Sequence, residues 1–180
     1  VEFKFHCKMP IFVARQWVRH RTANINEYSL RYSKARDEFY YPDLEHIQFQ
    51  SALNKQGRKG KVPTELKQKV LDYFKEISTR SFSIYSELNE AGVARELARA
   101  ILPVNLYTEW YWKNDLHNLL HFISLRSDSH AQYEIRVYSD AMAESVKKVA
   151  PFAWEAYQDY VVKGMRFSRI EQNLFEKKLP

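Results

Sequence analysis

Val1–Tyr32 reads VEFKFHCKMPIFVARQWVRHRTANINEYSLRY, and its spacing changes character twice. Val1, Phe3, Phe5, Cys7 and Met9 alternate with Glu2, Lys4, His6 and Lys8, the period of a half-buried strand. Pro10 suits the first turn of a helix, and Ile11, Ala14 and Val18 supply its inner stripe. Gln16, Arg19 and His20 share another face at i, i+3 and i+4. After Thr22 the helical pattern fails, Asn24 and Asn26 mark a turn, and from Glu27 the period becomes two. An extended chain there aims Glu27, Ser29 and Arg31 at the same space. The segment therefore gathers a knot of donors, Arg19-His20-Arg21, and a polar strand face within one strand-helix-strand unit. Such a clustering suits an anionic, nucleotide-like ligand.

Beyond it, residues 42–63 hold two prolines, two glycines and the basic run Lys55–Lys61, which predicts a surface loop. Pro63–Ala91 predicts a long helix: Pro63 and Thr64 open it, Gly92 follows its end, and Leu66, Val70, Phe74, Ile77, Ile84 and Leu88 form a drifting stripe. Val93–Leu102 predicts a shorter helix with Arg95 and Arg99 one turn apart. Leu106–Trp112, LYTEWYW, is expected to lie against a partner element or subunit. Asn114–Arg126 predicts an amphipathic helix with Leu116, Leu119, Leu120 and Ile123 inward and His117 and His121 outward. His130–Ala150 and Pro151–Val162 read as further helices, and Ser168-x-x-Glu171 as the capping box of a last one. The expected fold is α+β, predominantly helical with a small antiparallel sheet, in one domain over residues 1–180.

Composition narrows the function classes. A net charge of +6 favours acidic partners such as nucleotides. The single cysteine, Cys7, excludes an internal disulfide, fits a reducing cytoplasm and falls on the apolar strand face as a small core residue. No apolar run approaches transmembrane length. With 4 Gly, neither a G-x-G-x-x-G nor a Walker loop can be written, so any phosphate must be held by side chains and helix ends.

Three site chemistries compete with a nucleotide clamp. His117 and His121 have zincin spacing, but no glutamate stands between them to act as base, and no metal is assigned. A Ser-His-Asp hydrolase lacks the G-x-S-x-G turn. A basic-aromatic nucleic-acid-binding module has support from charge and ring content, yet its basic residues are spread through helices rather than gathered in one stripe.

Arg19-His20-Arg21, seven residues and then Ser29 resembles the R-H-R-x7-S motif of flavin-dependent thymidylate synthases. FHCKMPIFVARQW, the RYS after Ser29, RELARAILPVNLYTEWYW and DLHNLLHFISLRSDSHAQYEIR extend the likeness from Val1 to about Val149. The family carries a further strand-helix segment ahead of this first strand, which the resemblance implies is missing here. It implies a cytoplasmic homotetramer with active sites between subunits, binding FAD without a Rossmann fold. It assigns FAD contacts to Arg19, His20, Arg21, Glu27, Asp115, Leu116, His117 and His121, although the family commonly has Asn at Asp115 and His121. It places dUMP against Gln16, Arg19, Glu27, Tyr28, Ser29, Leu30, Arg31, Arg99 and Arg126. Arg126 is implied as the catalytic residue, methylenetetrahydrofolate as carbon donor and NADPH as reductant, with no role for nucleic acid, a membrane or a cysteine nucleophile.

Overall fold

A computed structural model describes residues 1–52 and 57–177. The alternating start of the chain is strand β1, Glu2–Pro10, with Phe3, Cys7 and Met9 buried on one face. Burial pushes the Cys7 thiol up to about 12, so at neutral pH it is a protonated core group rather than a nucleophile. Pro10 leads into helix α1, Ile11–Trp17. Its inner face is Val13, Ala14 and Trp17, whereas Val18, expected inside, lies past the helix end and is exposed.

Strand β2 is Asn24–Glu27, so the sequence expectation of a turn at Asn24 and Asn26 is corrected. These asparagines pair with a long strand from the other half of the chain, Asn24 opposite Lys113 and Asn26 opposite Tyr111. The pairing overrides their weak strand preference. The reversal falls later, where the Tyr32 and Ser33 amides donate to the Ser29 carbonyl at 3.2 and 3.0 Å.

Residues expected as a loop form a small hairpin, β3 (Gln48–Gln50) against β4 (Arg58–Lys61). Of the basic run, Lys55 lies outside the described residues. Helix α2, Thr64–Glu90, agrees closely with its predicted bounds, and Gly92 takes φ 81° just beyond. The stripe along it is only partly used: Leu66 and Ile77 are exposed, whereas Ser78 and Tyr85 are buried. Helix α3 is a single turn, Arg95–Ala98, continued by a 3-10 turn, Arg99–Ile101.

The aromatic run belongs to strand β5, Tyr107–Asp115, which lies at the centre of a three-stranded antiparallel sheet in the order β1-β5-β2. Thr108, Trp110, Trp112 and Asn114 fill its buried face. Its main partners are thus this chain's own strands. Helix α4, Leu116–Arg126, follows directly, and α5 (Tyr133–Val149) packs beside it. Helix α6 (Pro151–Tyr157), a π-helical turn at Gln158–Val162 and α7 (Arg169–Glu176) complete the described chain, with the Ser168–Glu171 capping box formed. The architecture is α+β with small antiparallel sheets.

The main core is built around Trp17. Its ring centroid lies 4.9 Å from Phe122, 5.4 Å from Trp112, 5.5 Å from Trp110 and 5.7 Å from Tyr138. One side chain thereby fixes the end of α1 against β5, α4 and α5. Among the described residues no helix is long and apolar enough to cross a membrane.

Candidate functional site

Because Trp17 anchors α1, the chain leaving it carries His20, between Arg19 and Arg21, to the end of α4. His20 and Arg126, 106 residues apart in sequence, meet there: the Arg126 Nε–H donates to His20 Nε2 at 3.0 Å. The His20 ring also rests edge-on against Phe122 at 4.9 Å and faces His121 at 6.3 Å. Burial first, then the charges of Arg126 and His121, lowers the His20 pKa to about 4. At neutral pH His20 is therefore uncharged, with the proton on Nδ1 and a lone pair on Nε2 for the arginine. That bond occupies only the Arg126 Nε, and its terminal amino groups have no hydrogen-bond partner among the described residues. Burial lowers the Arg126 pKa as well, although a guanidinium remains charged throughout the physiological range. The result is a half-buried cation held by a neutral histidine and aimed with two free donor groups.

Neutral His20 has a thermodynamic signature. Its ordinary pKa is 6.5 and its folded value about 4, so the unfolded chain binds the proton first. Stability contributed by the neutral form is complete above about pH 6.5, drains away as pH falls to about 4, and falls no further below that. Urea midpoints measured from pH 7 to pH 4 should drop more steeply for the native chain than for His20→Gln. Parallel curves would show that His20 is not held neutral.

The other predicted residues form two groups around this pair. At the end of β2, Glu27 Oε1 accepts a hydrogen bond of 2.7 Å from the buried Thr108 hydroxyl of β5. Tyr28 follows, its amide bonded to the Glu109 carbonyl at 2.8 Å and its hydroxyl to the Lys34 carbonyl at 2.8 Å. Ser29 braces its own turn: its hydroxyl accepts from the Arg31 amide at 3.4 Å, and its carbonyl closes the turn. Leu30 packs into the smaller core beside Tyr85 and Ala98. The Arg31 guanidinium lies 5.4 Å from the Tyr32 ring centroid. Arg95 Nη1 donates to the Tyr32 carbonyl at 2.7 Å, tying α3 to the turn; the Arg99 side chain, one turn further, among the described residues bonds only the Glu96 carbonyl at 3.4 Å.

The α4 residues divide by role. Asp115 is the N-cap, accepting from the Asn118 amide at 2.9 Å and its side chain at 2.8 Å, which holds the carboxyl below its usual range. The Leu116 amide bonds the Val1 carbonyl at 3.0 Å, and its side chain packs on the main core. His117 and His121 are exposed, and among the described residues no group of three or more His, Cys, Asp and Glu is placed to hold a metal ion. Gln16 is half-buried, and its Oε1 is sealed from solvent without a hydrogen-bond partner, an orphaned acceptor of the kind a ligand donor satisfies. Arg19 and Arg21 are exposed, with no carboxylate in ion-pair range among the described residues.

Two positioning residues escaped the sequence reading. Thr108 is the one hydroxyl on the otherwise aromatic and amide face of β5, a period-two signal visible in LYTEWYW. Arg95 was noticed only as a neighbour of Arg99, because its bond to Tyr32 spans 63 residues.

Comparison with known proteins places the chain in a family. The family model described as "Thymidylate synthase complementing protein" matches residues 1–152. A "Flavin-dependent thymidylate synthase" from Ehrlichia ruminantium (strain Gardel) is 52% identical over 176 residues, covering 98% of this chain and 59% of that protein. One from Dictyostelium discoideum is 50% identical over 171 residues, covering 95% of this chain and 56% of that protein. The chain thus spans less than two thirds of the length of these curated relatives. Among solved structures, a UMP/dUMP methylase, PolB, from Streptomyces cacaoi bound with 5-Br UMP superposes with a TM-score of 0.82 at 32% identity, covering 87% of this chain and 73% of that one.

Proposed function

The chain belongs to the thymidylate synthase complementing protein family, and from that premise we propose that it acts as a flavin-dependent thymidylate synthase. It would convert dUMP to dTMP in the cytoplasm with FAD as cofactor, methylenetetrahydrofolate as carbon donor and NADPH as reductant. The observation that carries the reading is the Arg126–His20 pair, a fixed guanidinium with unused donors beside the family's arginine motif.

The residues present fit a flavin dinucleotide. Arg19 and Arg21 supply uncompensated cations for its diphosphate, and exposed His117 and His121 lie along the adjoining face of α4. Asp115 and Leu116, at the start of that helix, and Glu27 complete the proposed contacts. Bound FAD would carry reducing equivalents between NADPH and the methylene carbon.

The chain's own residues would orient and polarise the pyrimidine nucleotide. Arg31 and Arg99 suit its phosphate, a charge-assisted bond contributing about 1.5–3 kcal/mol each. Glu27, held by Thr108, and the Ser29–Leu30 turn would set the height of the sugar and base, with Gln16 donating or accepting at the base edge. Arg126 would stabilise negative charge on the uracil as N3 ionises, which raises electron density at C5 and makes that carbon the nucleophile. No cysteine is needed, in keeping with the protonated, buried Cys7.

We further propose a homotetramer whose subunits complete one another's sites. Arg19, Arg21, Glu27 and Arg31 stand exposed on the surface rather than inside an enclosed cleft, so a facing surface would be required to exclude water.

The deciding experiment is a visible spectrum followed by a turnover assay. Purified protein, or protein given FAD, should show a bound-flavin absorbance band and form dTMP from dUMP only when methylenetetrahydrofolate and NADPH are both supplied. Colourless protein that binds no FAD and forms no dTMP would overturn the reading.

A further inference from the structure

A second concentration of donors lies just beyond the Arg126 end of α4. A cleft of about 590 Å3 opens between the β3–β4 hairpin and the start of α5, walled by Arg58, Lys59, Arg136, His46, Gln132 and Tyr133. Its parts are built rather than incidental. Arg58 pairs with the buried carboxylate of Glu134 and donates from Nη1 to the His46 carbonyl at 2.8 Å. Burial raises the Glu134 pKa, but hydrogen bonds from Tyr40 and Arg58 and the charge of Arg58 outweigh it and keep the carboxylate ionised. That pair is neutral overall and serves as a rigid wall.

Lys59 and Arg136 are different. Among the described residues neither has a carboxylate within ion-pair range. Arg136 is nevertheless aimed, its Nη1 on the Ser129 carbonyl at 3.3 Å and its guanidinium 5.9 Å from the Tyr133 ring centroid. Tyr133 stacks on the His46 ring at 3.6 Å, giving the cleft a flat aromatic side. His46 Nε2 is sealed from solvent and makes no hydrogen bond; the nearest carboxylate oxygen, on Glu45, is 3.5 Å away. The start of α5 places the positive end of a 17-residue helix beside the cleft, although the Ile135 and Arg136 amides are already taken by the Gln132 carbonyl at 3.2 and 3.1 Å. Two uncompensated cations and a helix start border one cleft, with the His46–Tyr133 stack as its flat side.

The location supplies the ligand class. Ser129, on the cleft wall, is three residues past Arg126, a span of at most about 11 Å. We propose that this cleft is a subsite for the anionic tail of an extended co-substrate whose reacting end lies near Arg126. The inference rests on the functional reading above. Two tails share the required chemistry, the phosphates of the nicotinamide dinucleotide and the glutamyl carboxylates of the folate.

The test has two arms on the chain of residues 1–180. In the first, inorganic pyrophosphate is titrated calorimetrically into protein saturated with dUMP, comparing the native chain with Lys59→Ala/Arg136→Ala. Loss of each charge-assisted contact predicts an affinity about tenfold lower per residue. Native protein that binds no pyrophosphate, or equal binding by both proteins, overturns the proposal. In the second arm, the double variant's KM is compared with the native value for NADPH against NADH and for pentaglutamyl against monoglutamyl methylenetetrahydrofolate. A rise for NADPH, alone or together with NADH, while the folate pair is unchanged assigns the phosphate tail, and a rise confined to the pentaglutamyl form assigns the carboxylate tail. No KM change in either pair overturns the co-substrate assignment. Charge-dependent pyrophosphate binding in protein that forms no dTMP would instead refute the functional reading while upholding the anion site.

Discussion

Arg126→Ala should cut dTMP formation by about 100- to 1000-fold, the usual cost of removing one donor that stabilises charge developing in the transition state. The loss belongs in kcat, with the flavin absorbance band retained, because the proposed FAD contacts lie on other residues. Arg126→Lys should restore little. A lysine ammonium is a point charge on a flexible stem, and it cannot donate to His20 Nε2 while presenting two further amino groups in a plane. The same substitution has a second readout independent of turnover. The Arg126 charge is one cause of the low His20 pKa, so its removal should raise that pKa, measured by NMR. The rise should be partial, because burial is the larger cause. Full turnover in Arg126→Ala would sink the mechanism even within the family.

Trp17→Ala should destabilise the fold by about 3–5 kcal/mol, read from the urea midpoint. Trp17 is fully buried and touches four other aromatic rings, so truncation leaves a cavity bordered by β5, α4 and α5 that rigid neighbours cannot close. Against a typical total of about 5–15 kcal/mol, that is a large share. The damage should extend to function, since the chain leaving Trp17 carries His20 to Arg126. Trp17→Phe should cost far less: a ring is kept, and the indole N–H it removes is buried without a hydrogen-bond partner. An alanine variant within about 1 kcal/mol of the native chain would show that the core does not depend on this side chain.

The two halves of the opening stretch differed in legibility. Val1–Met9 could be read directly, because alternation is a local property and a strand with one buried face has to display it. Helix α2 was equally plain, with Pro63 and Gly92 as its punctuation. Asn24–Asn26 misled because its strand geometry comes from β5, 85 or more residues away, and not from its own side chains. The aromatic run was read as lying against a partner element, which it does, but the sequence did not say which one. Its apolar character demanded burial, and only the sheet order showed that β1 and β2 flank it on both sides.

For the site, the R-H-R-x7-S spacing singled out the arginines, the serine and the flanking polar residues before any coordinates, since a motif keeps donors at fixed intervals along one segment. Spacing is silent about partners. Nothing local says that His20 is neutral; that follows from its burial against Phe122 and its contact with Arg126. Nor does anything local link Glu27 to Thr108, or Lys59 to Arg136 across the hairpin cleft.

The sequence by itself determined the first strand and the long helices, the buried cysteine, the absence of any glycine phosphate loop and the identity of the donor cluster. All of these follow from periodicity and side-chain chemistry within a few residues. The tertiary structure alone decided which donors meet, which carry uncompensated charge and which ionisation state each adopts. Those properties depend on desolvation and on distances between segments brought together by the core around Trp17.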